Sequence, residues 1–526
     1  FSDLVPASLI APKPCICGIR GAMALGGIPD AHYERGMDRA AAEKEAIRLW
    51  RNLPLQDRLD ISQAMAFARM LAPTLDFEAP EGRTKVIENW LLHDLARTET
   101  VVSITAESSN PDRLRLAVPG WPQREGASAI AFVIALLVMI ARRPDIISSA
   151  MLWAEDGAVW FANAYNEGWW APLLRPHAGY LQLFPRIVFD IATLLPLRIV
   201  AIFGVWAALL VRAAIPAFLF SSRFSWIDWR AKVALSAYYL LMPNLAEVHA
   251  NVTNTHWYLG LYLLMVVLAD APRTPLWKAH EWAALVLAGL SGPMVIFVVP
   301  CLALRYFAQR VTGAARPAFF LAAAALAVLQ LTILWIASAG EFGQIASGDP
   351  LALVGVLGSR ILLGFLTPSR WASALSMPIF FVSTVLVGRA IAGAVVVKRD
   401  WRSRSLLTVI ALVLLAALYT PAFSQLRSQW SPLLAVDEPG YFVVTSLAWA
   451  GTLIFFAARY LPRLSNLSLA AVAFLGGFLI LFDFALPSVS GTDFSPQVDR
   501  IDAAAPGETL TVPIAPRGWE MTLVKR

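Results

Sequence analysis

Two adjacent acids, Glu155 and Asp156, lie in an aromatic stretch just after the first long apolar run of the chain. A carboxylate can deprotonate an acceptor hydroxyl as a general base. Trp153 and Trp160 flank the pair and offer flat apolar faces on which a sugar ring can lie. The pattern predicts a catalytic carboxylate pair. The alternative is a helix N-cap, because Asp before Gly157 and an apolar run is a common helix start.

Cationic residues that could hold a phosphate follow the acid pair. Arg175 and His177 have no local partner in the sequence, whereas Arg186 and Asp190 are four residues apart and so predict a structural ion pair on one helix face. Arginine is shaped to bind phosphate oxygens in two places at once. Snorkelling near a span end is the alternative for each arginine. The predicted substrate- or phosphate-binding residues are Arg175, His177, Tyr180, Arg186, Asn251, Asn254, His256, Arg360 and Arg370.

A second polar segment, residues 247–258, lies beside an apolar run. Polar groups this dense are costly in a membrane unless they face a cavity, so we expect Asn251, Asn254 and His256 to bind sugar hydroxyls. The alternative is that these side chains, with Glu247 and His249, ligate a divalent ion, but His and Asn without a close carboxylate cluster make a poor Mg²⁺ site. If the protein uses a divalent cation, Mg²⁺ or Mn²⁺, Glu155 and Asp156 are its predicted ligands.

Composition indicates a membrane protein. Hydrophobic residues make up 58% of the 526 residues and charged residues 15%, whereas soluble domains carry about 25% charged residues. The sequence predicts about eleven spans, since a bilayer helix needs about 20 apolar residues. They are Gly126 to Ala141, Leu197 to Phe220, Ala231 to Leu245, Trp257 to Ala269, a broken hairpin over Glu281 to Arg305, Ala318 to Ala337, Ala374 to Val397, Leu406 to Tyr419, Tyr441 to Ala458, and Leu467 to Phe484.

The basic residues predict the orientation of these spans. Lys and Arg recur in alternate loops, which is typical of the cytoplasmic side and places the N-terminus inside and residues 151–190 outside. The net charge of +6 is spread over these loops, so no nucleic-acid partner is expected. Ser291-Gly292-Pro293 splits an apolar stretch into short halves, which predicts either a pair of re-entrant helices or a Pro-kinked hairpin.

The predicted fold is therefore an all-α polytopic membrane protein with interfacial or re-entrant helices in the first external loop. Leu510, Val512 and Ile514 alternate against Trp519, Met521 and Leu523 across a Pro-Arg-Gly turn, which predicts an external C-terminal β-hairpin. The predicted domains are 1–32, disordered or non-native; 33–98, a small soluble helical region; 99–125, a linker; 126–485, the membrane domain; and 486–526, an external tail with the hairpin.

Glu155-Asp156-Gly157, followed by Pro176-His177-Ala178-Gly179-Tyr180-Leu181 and Pro185-Arg186, resembles the GT-C superfamily of polytopic glycosyltransferases over residues 126–526. The resemblance implies a bacterial inner-membrane enzyme that moves a sugar from a polyprenyl-phosphate donor to a lipid or glycan acceptor at the external face. It implies Asp156 as the base and Glu155 as its neighbour, assisting or binding metal. The chain lacks an Asp-X-Asp motif.

Two other functions are compatible with the same composition. A transporter or flippase of a lipid-linked saccharide would more often show internal repeats, and none is evident here. A polymerase or ligase of surface polysaccharide would be expected to place its key groups in a large, later external loop. The loops at 338–352 and 424–440 are modest in length.

Overall fold

A computed structural model shows a mostly helical chain with one two-stranded sheet. The chain divides into two compact units, Phe1–Gly120 and Trp121–Arg526, and this division falls within the predicted linker, 99–125. The structure describes residues 36–53, 61–94, 126–168, 170–310, 316–337, 401–419, 440–460, 484–488 and 494–526.

The first unit is a small helical domain. Helices α1 (Arg39–Arg51) and α2 (Ile61–Leu71) are followed by α3, residues 83–94, and all three lie within the predicted helical region, 33–98. Their apolar faces bury Trp50 against Phe67, with ring centroids 5.4 Å apart. Burial of such a cluster is the main favourable term in folding.

Within the described residues, the second unit contains thirteen α-helices, a π-helical segment and a 3₁₀ turn, followed by a β-hairpin. The α-helices are α4 (Gly126–Arg142), α5 (Asp145–Ser148), α6 (Ala162–Glu167), α7 (Leu183–Ala192), α8 (Leu197–Leu219), α9 (Trp229–Leu241), α10 (Thr255–Leu268), α11 (Pro275–Gly289), α12 (Met294–Arg310), α13 (Pro317–Ala337), α14 (Trp401–Tyr419), α15 (Gly440–Tyr460) and α16 (Ser495–Ala503). A π-helical segment, Asp156–Phe161, leads directly into α6, and a 3₁₀ turn, Ser222–Phe224, follows α8.

Within the described residues, α8 and α13 are long and apolar enough to cross a membrane, with 23 and 21 residues. They coincide with two of the predicted spans. The apolar helices α4 and α10 are shorter. Two predicted spans lie outside the described residues: Ala374 to Val397, and Leu467 to Phe484 apart from Phe484 itself. The total number of spans therefore stays a prediction.

The broken hairpin is formed by α11 and α12, which the tip Leu290 to Pro293 separates. Helix α11 begins six residues before the predicted Glu281, because the Thr274 hydroxyl caps it by accepting from the Trp277 N–H at 3.2 Å and Pro275 is suited to the first turn. Gly292 allows the tip to pass close to His256, since a Cβ there would lie 2.9 Å from the His256 Cβ.

The predicted C-terminal hairpin is present as β1 (Thr509–Ile514) paired antiparallel with β2 (Trp519–Val524). Leu510, Val512 and Ile514 are buried, as the alternation predicts, and so are Met521 and Leu523. Trp519, expected on the same apolar face, is instead 39% exposed. It lies at the first position of β2, opposite Ile514 and next to the turn.

Candidate functional site

The acid pair stands at the start of what we call the acidic helix, Asp156–Glu167, which combines the π-helical segment with α6. The sequence predicts interfacial or re-entrant helices in this loop. Trp160 and Ala164 on the acidic helix are each 1% exposed, so these two side chains pack inside the protein. Wide π-helical turns are uncommon and occur often at functional sites.

Asp156 does not cap its own helix but binds a second segment of the chain. Its Oδ2 accepts the Val252 N–H at 2.9 Å, and its Oδ1 accepts the Thr253 N–H at 2.7 Å. Burial raises the pKa of Asp156 to about 7, while the two backbone donors act in the opposite direction. The carboxylate therefore fixes the 252–253 turn against the acidic helix.

Glu155 differs from its neighbour. It is half-buried, and within the described residues its carboxylate has no hydrogen bond or ion pair. Helix capping, the sequence alternative, is also not its role, because no side-chain capping bond is formed at Glu155. The free carboxylate of the pair is thus Glu155.

Trp160, one turn after Asp156, joins the other predicted residues. Its indole N–H donates to the Thr253 hydroxyl at 2.7 Å. The His177 ring meets the indole edge-to-face at 4.9 Å between centroids, and the Arg186 guanidinium lies 4.9 Å from the indole centroid. An indole that contacts a cation and an imidazole at once orients both.

Arg186 is 2% exposed and poorly paired. Its Nη2 donates to the Arg175 carbonyl at 2.9 Å, but Nε and Nη1 have no partner. Burial is the main cause that lowers its pKa, to about 10. Arg186 and Asp190, predicted to form an ion pair, make no salt bridge in the described residues, although the Asp190 carboxylate interacts electrostatically with Arg186. Asp190 Oδ1 has no hydrogen-bond partner. Buried polar atoms normally have partners, so the free Arg186 nitrogens can donate to a further group.

Arg175 is engaged, contrary to the expectation that it has no local partner. Its Nη1 and Nη2 bind both carboxylate oxygens of Glu167, at 2.9 and 2.5 Å. This ion pair is largely exposed, with 46% of the Arg175 side chain accessible. The backbone of His177 pairs with that of Tyr180, whose ring lies 5.8 Å from the His256 ring. His177, Tyr180, Arg186 and His256 are therefore brought together, while Arg175 lies at the edge.

Side chains of the polar segment 247–256 form hydrogen bonds with the backbone of the same segment. Asn251 Nδ2 donates to the Glu247 carbonyl at 2.5 Å, and its Oδ1 accepts the Asn254 N–H at 3.1 Å. His256 Nδ1 lies 2.8 Å from the Thr253 carbonyl oxygen. The Asn251 amide thus shapes this turn, and binding of sugar hydroxyls by this segment stays a prediction.

Three supports of the site have no obvious signal in the sequence. The tip of the α11–α12 hairpin accepts the Leu183 N–H on the Leu290 carbonyl and the Phe184 N–H on the Ser291 hydroxyl, each at 2.9 Å. Gln330 accepts the Leu181 N–H at 3.0 Å. An isolated glutamine inside the apolar run of α13 is the one hint that could have pointed to this contact.

The β-hairpin packs on the acidic helix. Ala515 pairs its backbone with Leu152 and Ala154. Asn166 donates to the Thr522 carbonyl at 2.8 Å and accepts the Val524 N–H at 2.9 Å. The acidic helix is consequently held between the hairpin and the 252–253 turn.

Arg360 and Arg370 lie outside the described residues. Within the part of the chain that the structure describes, no group of three or more His, Cys, Asp or Glu side chains could hold a metal ion. The chain matches no protein family model, no curated protein and no solved structure.

Proposed function

We propose that this protein is a polytopic glycosyltransferase of the bacterial inner membrane, similar in plan to the GT-C superfamily. It transfers a sugar from a polyprenyl-phosphate donor to a lipid-linked or cell-envelope acceptor at the external face. The N-terminus is cytoplasmic and the C-terminal hairpin external.

The outward faces of the apolar helices support a membrane location. On α13, Leu321 is 64% and Trp335 69% exposed. On α4, Val133 and Leu137 are also exposed. Soluble proteins rarely leave contiguous apolar surface in water, whereas lipid chains cover such faces without cost.

The observation that carries the function is the buried, under-partnered Arg186 beside His177 and Trp160. A guanidinium with two unpartnered nitrogens, Nε and Nη1, in a dry site suits a phosphate, since charge-assisted bonds to such oxygens are strong. The free Glu155 carboxylate begins the helix on which Trp160 stands.

The chemistry follows from these groups. Glu155 takes the proton of the acceptor hydroxyl, and that oxygen forms a bond to the anomeric carbon of the donor sugar. The bond between this carbon and the phosphate oxygen breaks, and the phosphate leaves with the electron pair toward Arg186. Asp156, with both oxygens bound by backbone amides, positions the helix. This assignment exchanges the roles that the resemblance implies for the two acids.

Arg186 is tested by comparison with Arg175, a nearby exposed arginine. Transfer of radiolabelled sugar from polyprenyl phosphate by purified Arg186→Ala should fall about 100-fold, the usual cost of removing a donor to developing charge. Arg175→Ala should remain within a few-fold of the original protein, because its partner is Glu167. Equal activity of the two variants would remove the phosphate role of Arg186.

Glu155 is tested with Glu167→Gln as a control on the same helix. Glu155→Gln should lower kcat about 100-fold or more with donor binding retained, as expected for loss of a general base. Each substitution removes one carboxylate, from the residue before the acidic helix or from its last residue, so a shared loss would indicate a general effect of charge near this helix. Full activity of Glu155→Gln would contradict the assignment.

A further inference from the structure

A second charged group of side chains lies away from the candidate site, around the buried Glu281. We call Arg223, Arg305, Arg316 and Arg402 the basic cluster. Glu281, fully buried, binds Arg223 through one carboxylate oxygen and Arg316 through the other. Glu281 is eight residues before the end of α11, about 12 Å from the hairpin tip, so the basic cluster sits toward the opposite end of this hairpin.

The guanidinium groups of the basic cluster lie close together. Arg402 Nη2 binds Asp270 Oδ1 at 3.1 Å. Arg305 interacts electrostatically with Glu281 and with the other three arginines. Guanidinium groups gathered in this way attract an anion, most strongly where water is scarce.

Unpartnered donors show where that anion would bind. Arg223 Nη1 and Arg305 Nη2 are buried and have no hydrogen-bond partner, and these residues are 3% and 5% exposed. Arg305 Nη1, by contrast, donates to the carbonyls of Val266 and Val267, at 3.0 and 2.8 Å. Two free N–H groups from different arginines suit an oxyanion with several acceptor oxygens.

The surroundings point to a phosphate carried on a lipid. Arg316 and Arg402 are partly exposed, with 28% and 23% of their side chains accessible, so the cluster opens at these two residues. Exposed apolar side chains stand on the adjoining helix ends, with Leu276 80% and Phe307 62% exposed. Cations bordered by apolar surface match a headgroup bordered by acyl chains.

We propose that the basic cluster binds the phosphate headgroup of an anionic phospholipid. This inference rests on the proposed membrane location but not on the transfer chemistry. The phosphate oxygens accept hydrogen bonds from Arg223 and Arg305, Arg316 and Arg402 border the entrance, and the acyl chains lie along the exposed faces of α11 and α12.

The full-length protein is purified in detergent and titrated with phosphatidylglycerol in mixed micelles, with phosphatidylcholine and inorganic phosphate as separate probes. Native mass spectrometry counts bound lipid. Phosphatidylglycerol should be retained in preference to phosphatidylcholine. Arg402→Gln and Arg316→Gln should each weaken retention about five-fold, because one arginine near a lipid surface contributes about 1 kcal/mol.

Arg175→Gln and Arg198→Gln, which remove exposed arginines outside the basic cluster, serve as matched controls and should retain the lipid. Equal retention in cluster and control variants would overturn the proposal, as would equal binding of the two lipids. Saturation by inorganic phosphate with no lipid retained would assign the site to a free anion instead. Arg402→Gln should leave sugar transfer from polyprenyl phosphate unchanged, so lipid binding and transferase activity can fail independently.

Discussion

At the scale of single residues, the two acids of one dipeptide have separate environments. Asp156 is 4% exposed and accepts two backbone N–H groups, whereas Glu155 is half-buried and unbound within the described residues. Adjacent helical side chains point about 100° apart, so one can face the protein interior while the other does not. Residue type alone could not have predicted which of the two carboxyl groups is bound by the protein and which is not.

The pKa of Asp156 gives a pH-dependent prediction. Burial raises it to about 7 in the folded protein, above about 3.9 in an unfolded chain. The folded state therefore holds this proton more tightly, and the stability it contributes is complete below about pH 4 and lost as the pH rises through about 7. Asp156→Asn should remove this loss of stability with rising pH.

The measurement is the thermal unfolding midpoint in detergent at several pH values. Between about pH 5 and 8 the midpoint of the original protein should fall relative to that of Asp156→Asn by about 2 °C or more. Glu520→Gln, at an exposed position of β2, should follow the original protein. Parallel pH profiles for Asp156→Asn and the original protein would contradict a raised pKa.

At the scale of elements, local patterns predicted more than distant contacts did. The β-hairpin followed from its alternation and its turn, and the break between α11 and α12 from Ser291-Gly292-Pro293. The bond between Asp156 and the 252–253 turn joins residues 96 and 97 positions apart. No periodicity encodes that pairing, because it depends on how the helices pack. The same holds for Gln330 and Leu181.

Gly157 tests the contact between the acidic helix and the β-hairpin. A Cβ at this position would lie 2.8 Å from Ile514 Cδ1, so Gly157→Ala should lower stability by about 1–3 kcal/mol through overpacking. It should also reduce sugar transfer, because the hairpin would be displaced from Leu152. Thermal unfolding and the transfer assay measure the two effects.

Ile514→Val removes the clashing methyl and should restore much of both properties when combined with Gly157→Ala. Gly126→Ala is the control, since a Cβ at Gly126 would meet nothing within 4 Å. If the double variant is no better than Gly157→Ala alone, this contact does not set the position of the acidic helix.

At the scale of the whole molecule, the proposed topology separates two polar regions. The candidate site and the β-hairpin are assigned to the external face, and the basic cluster to the cytoplasmic face. The two regions are joined by α11 and α12, whose tip contacts residues 183–184 and whose other ends carry Glu281 and Arg305.

Labelling with a membrane-impermeant maleimide tests this arrangement. In a chain with Cys15, Cys17 and Cys301 replaced by Ser, Glu520→Cys should react in intact spheroplasts. Lys278→Cys should react only after the membrane is opened, because Lys278 lies in the first turns of α11, at the end of the hairpin that is assigned to the cytoplasmic face. Reaction of both positions in intact spheroplasts would contradict the proposed topology.

The hydrogen bonds between Asn166 and β2 join residues 356 and 358 positions apart. They can therefore form only late in synthesis of the chain. Synthesis proceeds at about 5–20 residues per second, so the acidic helix waits tens of seconds for these partners. A chain interrupted before β2 lacks the hydrogen bonds that hold the acidic helix against the β-hairpin. The contact between the acidic helix and β2 therefore forms only after synthesis has passed β2, and a chain that stops earlier cannot complete the candidate site.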